Sequence, residues 1–201
     1  MPNPLDLTRV VAMAAAQTVI ESGHLERRLS ELVALRTESQ DHAQAAVLKQ
    51  YLSEMMRPML LEMGFDVGLH ENPVAQAPPL LLASRVENSD LPTILIYGHG
   101  DVTHGQDNQW DAGLSPFAAK AIDGLIYGRG TADNKGQHLI NLMALKTLIE
   151  LRGSLGFNVK VLIEMAEETG SPGLAEFCAA QRDALAADVL IASDGPRLMP
   201  E

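Results

Sequence analysis

Cysteine is almost absent from this chain, and so is any surplus of positive charge. The one cysteine among 201 residues, Cys178, rules out an intrachain disulfide and any structural zinc site built on thiolates. Its setting in residues 174–180 predicts a small side chain packed as a hydrophobe. Fifteen Lys and Arg against 26 Asp and Glu leave a formal net charge of −11, which argues against a nucleic-acid surface and against attraction to anionic lipid. No apolar run approaches the roughly 20 residues that span a bilayer. No internal repeat is present, and residues 1–19, interrupted by Gln17 and Thr18, read as an amphipathic helix rather than a signal peptide. The expectation is a cytoplasmic protein with neither a nucleic-acid nor a membrane partner.

What is present is an ordinary hydrophobic content of 46% in a chain long enough for one good core. Residues 7–35 have charges at helical spacing and a break at Ser22-Gly23, which predicts two helices or one interrupted helix. A further helix is expected over residues 43–63, with Leu48, Leu52, Met55, Met56, Met59 and Leu60 inside, a kink or fresh turn at Pro58, and Gly64 as its stop. The nine methionines read as core filler. Then the period changes. Residues 65–69, 80–86, 93–97, 158–166 and 188–192 read as strands, with helices over 135–151 and 173–185 and a long polar loop over 103–123. Strand, helix, strand, helix, strand at crossover spacing predicts a three-layer α/β/α fold around a mixed, largely parallel sheet.

Four turns bearing histidine or acids stand where apolar strands or glycine-rich loops stop: Gly98-His99-Gly100-Asp101, Thr131-Ala132-Asp133-Asn134, Glu167-Glu168-Thr169-Gly170 and Ser193-Asp194-Gly195. Open α/β sheets gather groups from distant parts of a chain at the carboxyl ends of their strands, and a divalent ion needs imidazole and carboxylate ligands gathered in that way. If the turns converge, His99 offers a neutral imidazole nitrogen and Asp101 can accept the proton on the other ring nitrogen. Asp133 has two oxygens with which to bridge two ions, and Glu168 and Asp194 can each complete one shell. Glu167 is then left as a general base for metal-bound water, which suits hydrolysis of an amide. Taken singly, each turn also has a plain structural reading: Asp133 as a helix N-cap, Glu167-Glu168 as solvated acids, Ser193-Asp194-Gly195 as an ordinary turn.

Taken in order, Gly98-His99-Gly100-Asp101-Val102, Trp110 with Pro116-Phe117, Asp123 to Gly130, Asp133-Asn134-Lys135-Gly136 and Glu167-Glu168-Thr169-Gly170-Ser171 resemble the successive motifs of a known family. It is the co-catalytic zinc metallopeptidase family of carnosinase-like dipeptidases, aminoacylases and acetylornithine and succinyl-diaminopimelate deacylases. The resemblance implies that His99, Asp133 and Asp194 hold one zinc, and that Asp133, as the bridge, and Glu168 hold the other. It implies Glu167 as general acid/base, Asp101 as the partner that orients His99, and a cis peptide between Asp133 and Asn134. Manganese or cobalt are alternative ions for such carboxylate-rich sites. Glu167 to Gly173, with Asp rather than Glu at 194, leans towards dipeptidases, with N-acyl-amino-acid deacylation as the alternative. Trp110 is expected to pin its loop, and Arg129 and Lys135 to be structural.

Family members are considerably longer. Beyond a position near Pro196 they insert a lid and dimerisation domain, then return to complete the sheet and supply a last histidine. Residues 1–201 therefore read as the N-terminal part of a catalytic domain, truncated and incomplete at its C-terminal side, from a full-length enzyme expected to be a homodimer. Little or no activity is expected of the 201 residues alone. A catalytically inactive metal-binding or self-associating fragment is the reading of another class.

Overall fold

The structure, a computed structural model, describes residues 9–195. The expected start of the first helix at residue 7 and the position near Pro196 lie outside the described residues.

Two helices, α1 (Arg9–Glu21) and α2 (His24–Ala34), are separated by Gly23 in the left-handed conformation at φ 69°. The helix expected over 43–63 is a single helical run with a change of winding inside it. A 3-10 turn at His42–Gln44 leads into α3 (Ala45–Gln50), a π-wound segment follows at Tyr51–Met56, and α4 (Arg57–Glu62) completes the run. Pro58 lies in the first turn of α4, the fresh turn expected there as the alternative to a kink, and has no N–H to give the π-wound turn before it. Gly64 ends the run as predicted. Its N–H donates to the Leu61 carbonyl at 2.9 Å while the Phe65 N–H reaches the Leu60 carbonyl at 3.0 Å, the paired bonds of a Schellman stop.

The sheet has five strands in the order β1 (Asp66–His70), β2 (Leu80–Arg85), β6 (Asn158–Glu164), β3 (Thr93–His99) and β7 (Val189–Ala192). The β1/β2 and β2/β6 pairs are antiparallel, while β6/β3 and β3/β7 are parallel. Because β3, β6 and β7 run the same way, with His99 opposite Glu164 and Tyr97 opposite Ala192, their carboxyl ends open on one edge. That edge carries three of the four predicted turns.

Alternation along β6 sends Val159, Val161 and Ile163 to one face and Leu162 to the other. The first face packs against α2, the run from Leu48 to Met63, and α5 (Lys135–Arg152); the second packs against Phe177 of α6 (Leu174–Ala180) and Leu185 of α7 (Arg182–Leu185). This is the three-layer arrangement. Met56, Met59, Met63, Met143 and Met165 fill the core as expected, whereas Met13 is exposed. Cys178 is half-buried against the smaller cluster.

Two expectations change in detail. The 173–185 helix is divided into α6 and α7. The long polar stretch over 103–123 ends in the first strand of a hairpin, β4 (Lys120–Ile122) and β5 (Leu125–Tyr127), turning through Asp123 and Gly124, both at positive φ. Among the described residues no helix is long and apolar enough to cross a membrane.

Candidate metal centre

β3 ends in His99, whose side chain is fully buried beside the equally buried Asp101. The ring is held at both nitrogens. Nδ1 lies 3.2 Å from Asp101 Oδ1 and 3.1 Å from the Asp101 carbonyl, and Nε2 lies 3.1 Å from Asp133 Oδ1. Asp194 Oδ2 is 3.6 Å from the same Nε2 and Glu167 Oε2 is 3.8 Å from it. One ligand atom each from His99, Asp133 and Asp194 falls within 4.8 Å of the other two.

The turn that delivers Asp133 ends at α5, and the Asp133-Asn134 peptide is cis. α5 starts one residue later and passes so close to that turn that residue 136 must be glycine. A Cβ placed there would lie 1.9 Å from the Thr131 carbonyl oxygen. Lys135 is buried; its ammonium donates to the carbonyls of Leu32 and Leu35 at 2.9 and 2.8 Å, tying the end of α2 to the turn, a structural role as expected. Burial is the main influence that brings its pKa down to about 7, against the charge of Asp101.

After β6 the chain forms a 3-10 turn at Glu167–Thr169. Asp101 holds that turn as well as the imidazole: its Oδ1 and Oδ2 accept the backbone N–H groups of Glu167 and Glu168, both at 3.2 Å. Glu164, buried at the end of β6, accepts hydrogen bonds from the Tyr97 hydroxyl at 2.6 Å and from Ser171 Oγ at 2.8 Å, fastening the far side of the same turn. Glu168 lies outside the three-residue cluster, though its carboxylate feels the charge of Asp133. The structure thus brings His99, Asp101, Asp133, Glu167 and Asp194 together and places Glu168 at their border.

The electrostatics favour a cation. Burial alone would lower the His99 pKa, but the Asp101 hydrogen bond and the charges of Asp101, Asp194 and Glu167 outweigh it and push it up to about 9. Burial raises the Glu167 and Glu168 carboxyls, helped at Glu167 by Asp194 and at Glu168 by Asp133. One imidazole and two carboxylates within reach of one point are a fitting donor set for a divalent ion such as zinc or manganese. Asp101→Ala removes three interactions at once. It is expected to weaken ion affinity about ten- to hundred-fold, as loss of a partner behind a metal-binding histidine does, and a titration followed by calorimetry measures it.

The sequence assigned no supporting role to several residues around the centre, although Asn134 and Ser171 stand in its motifs. Asn134, His138 and Tyr51 are buried behind it, and Glu164 and Ser171 brace one turn. The polar spacing of Gln137, His138 and Asn141 along α5, following Asn134 at its start, was the signal available for Asn134 and His138. Trp110 pins its loop as expected, its Nε1 donating to the Gly105 carbonyl at 2.7 Å.

A family model described as Peptidase family M20/M25/M40 matches residues 95–199, which contain every residue of this centre. The chain belongs to that family. Its M20 relatives include the mouse Beta-Ala-His dipeptidase, 36% identical over 135 residues that make up 64% of this chain and 27% of that protein. The Cysteinylglycine-S-conjugate dipeptidase of Corynebacterium striatum is 31% identical over 174 residues, 85% of this chain and 37% of the relative. Among solved structures, human carnosine dipeptidase 1 superposes with a TM-score of 0.84 at 26% identity, covering 93% of this M20 chain and 42% of the other. The chain therefore spans less than half the length of these relatives.

Proposed function

We propose that this chain carries the metal-binding half of a peptidase centre that hydrolyses the amide bond of dipeptides or short peptides. The observation that carries the reading is the meeting of His99, Asp133 and Asp194 ligand atoms within 4.8 Å, with Glu167 Oε2 3.8 Å from the His99 ring. The names of the mouse and Corynebacterium striatum relatives support dipeptides as the substrate class.

Divalent ions at such a site polarise the scissile carbonyl and acidify water. His99, Asp133 and Asp194 hold one ion in this reading, and Asp133 and Glu168 contribute to a second. Asp101 fixes the His99 ring through Nδ1, and through two backbone N–H groups it sets where the Glu167 and Glu168 side chains begin. Glu167 takes the proton from the attacking water and passes it to the leaving amine. Residues 1–201 act in this reading as the N-terminal part of the catalytic domain. The β7 edge supports that placement, because Val189, Leu190 and Ile191 are exposed there and an apolar edge strand is what further chain covers.

The test is hydrolysis of dipeptides beside N-acyl amino acids by the polypeptide that contains these residues, before and after chelation. Dipeptide cleavage that disappears on chelation and returns with zinc or manganese is expected, and the 201 residues alone are expected to stay near background. Cleavage indifferent to chelation, or preference for the N-acyl amino acids, contradicts the reading.

A further inference from the structure

α5 approaches the centre with polar residues along one face, and none of them belongs to the ligand set. Asn134 is buried, and two backbone groups of fixed polarity decide which way its amide points. The His99 N–H donates to Oδ1 at 3.3 Å, and Nδ2 donates to the Ser193 carbonyl at 2.8 Å. Asn134 itself follows Asp133. One amide therefore touches all three turns that carry the clustered ligands.

His138 stands behind this amide, with Nδ1 3.2 Å from Asn134 Oδ1. Accepting the His99 N–H marks this atom as the amide carbonyl oxygen, which carries no hydrogen, so Nδ1 must carry it. In a neutral ring Nε2 is then bare, and it accepts from the Tyr51 hydroxyl at 2.7 Å. His138 is buried, and burial disfavours the charged ring. The donor order runs Tyr51, His138, Asn134, Ser193, and the backbone fixes its direction.

Burying the His138 imidazole and the Tyr51 hydroxyl costs desolvation that apolar side chains would avoid. The neighbouring strand makes room for the ring. A Cβ at Gly98 would lie 2.7 Å from His138 Cβ and 3.0 Å from Asn134 Oδ1. We propose that Tyr51 and His138 are positioning residues of the metal centre, locking the Asn134 amide so that the turns bearing His99, Asp133 and Asp194 keep ligand spacing. This inference rests on the metal-centre reading above.

The probe is Co²⁺, titrated into the 201-residue chain and followed by its visible absorption, with the thermal stability of each ion-free variant measured alongside. Asp133→Ala is the control for the centre itself. Tyr51→Phe keeps the ring and removes only the hydroxyl, while His138→Leu removes the donor to Asn134. Co²⁺ affinity is expected to fall about ten- to hundred-fold in His138→Leu and measurably in Tyr51→Phe, with an altered spectrum. His138→Asn retains an N–H facing Asn134 and is expected to recover most of the affinity. ¹⁵N NMR should find His138 as the Nδ1–H tautomer in the parent chain.

Parent-like affinity and spectrum in both Tyr51→Phe and His138→Leu, whatever happens to thermal stability, would overturn the positioning role. An Nε2–H tautomer in the parent chain would overturn it too. If Asp133→Ala also binds Co²⁺ like the parent, the metal centre fails and the positioning role falls with it. If only that control loses the ion, the positioning role fails alone.

Discussion

Glu167→Gln, in the polypeptide that contains these residues, is expected to lower dipeptide turnover by about 10²- to 10⁴-fold while leaving the bound metal unchanged. The substitution keeps the length and shape of the side chain and removes its ability to take a proton. Glu167 Oε2 stands 3.8 Å from the His99 ring, close enough to serve a water at the centre, yet the residue is outside the His99, Asp133 and Asp194 cluster. Its backbone is pinned by Asp101, so the amide that replaces the carboxylate should occupy the same place. Metal analysis and steady-state rates separate the two effects. A turnover within a few-fold of the parent would remove Glu167 from the chemistry, and loss of metal would make it a ligand instead.

Gly136→Ala is expected to destabilise the chain by about 3 kcal/mol or more, at the upper end of what inserted atoms cost in a packed site. The contact it creates, 1.9 Å to the Thr131 carbonyl oxygen, is with backbone and cannot be relieved by a rotamer change. Either α5 or the turn carrying Asp133 must move. The Gly136 N–H also donates to the Gly130 carbonyl at 3.1 Å, so displacement breaks a bond on the same turn. Chemical denaturation gives the stability change, and metal affinity should fall with it. A change within about 0.5 kcal/mol, the range of an ordinary surface substitution, would mean that α5 does not press on the turn as described.

The parts of this molecule legible in the sequence were those set by local pattern. The run read over 93–97 stops just before His99, that over 158–166 stops at Glu167, and that over 188–192 stops before Asp194, so the strand ends announced the ligand turns. Gly64 and Gly23 announced helix breaks because a left-handed residue is needed there. Sheet order was less accessible. Nothing local in residues 80–85 says that β2 pairs antiparallel with β6, which lies some 75 residues further on. The Asp123-Gly124 turn carried a legible hairpin signal, but β4 and β5 are three residues each and largely exposed, leaving little alternation to read. The pairing of the supports behind the centre was hidden for another reason. Tyr51 and His138 are 87 positions apart, and a tyrosine or histidine in a helix declares its partner only once the helices pack.

Metal bound per chain tests the account most directly. The 201-residue chain and Asp133→Ala are each dialysed against trace zinc and analysed for metal and protein. The account predicts about one zinc per chain in the parent and none in the variant, because Asp133 supplies an oxygen that His99 and Asp194 cannot replace. Equal zinc in both, or none in either, would contradict it.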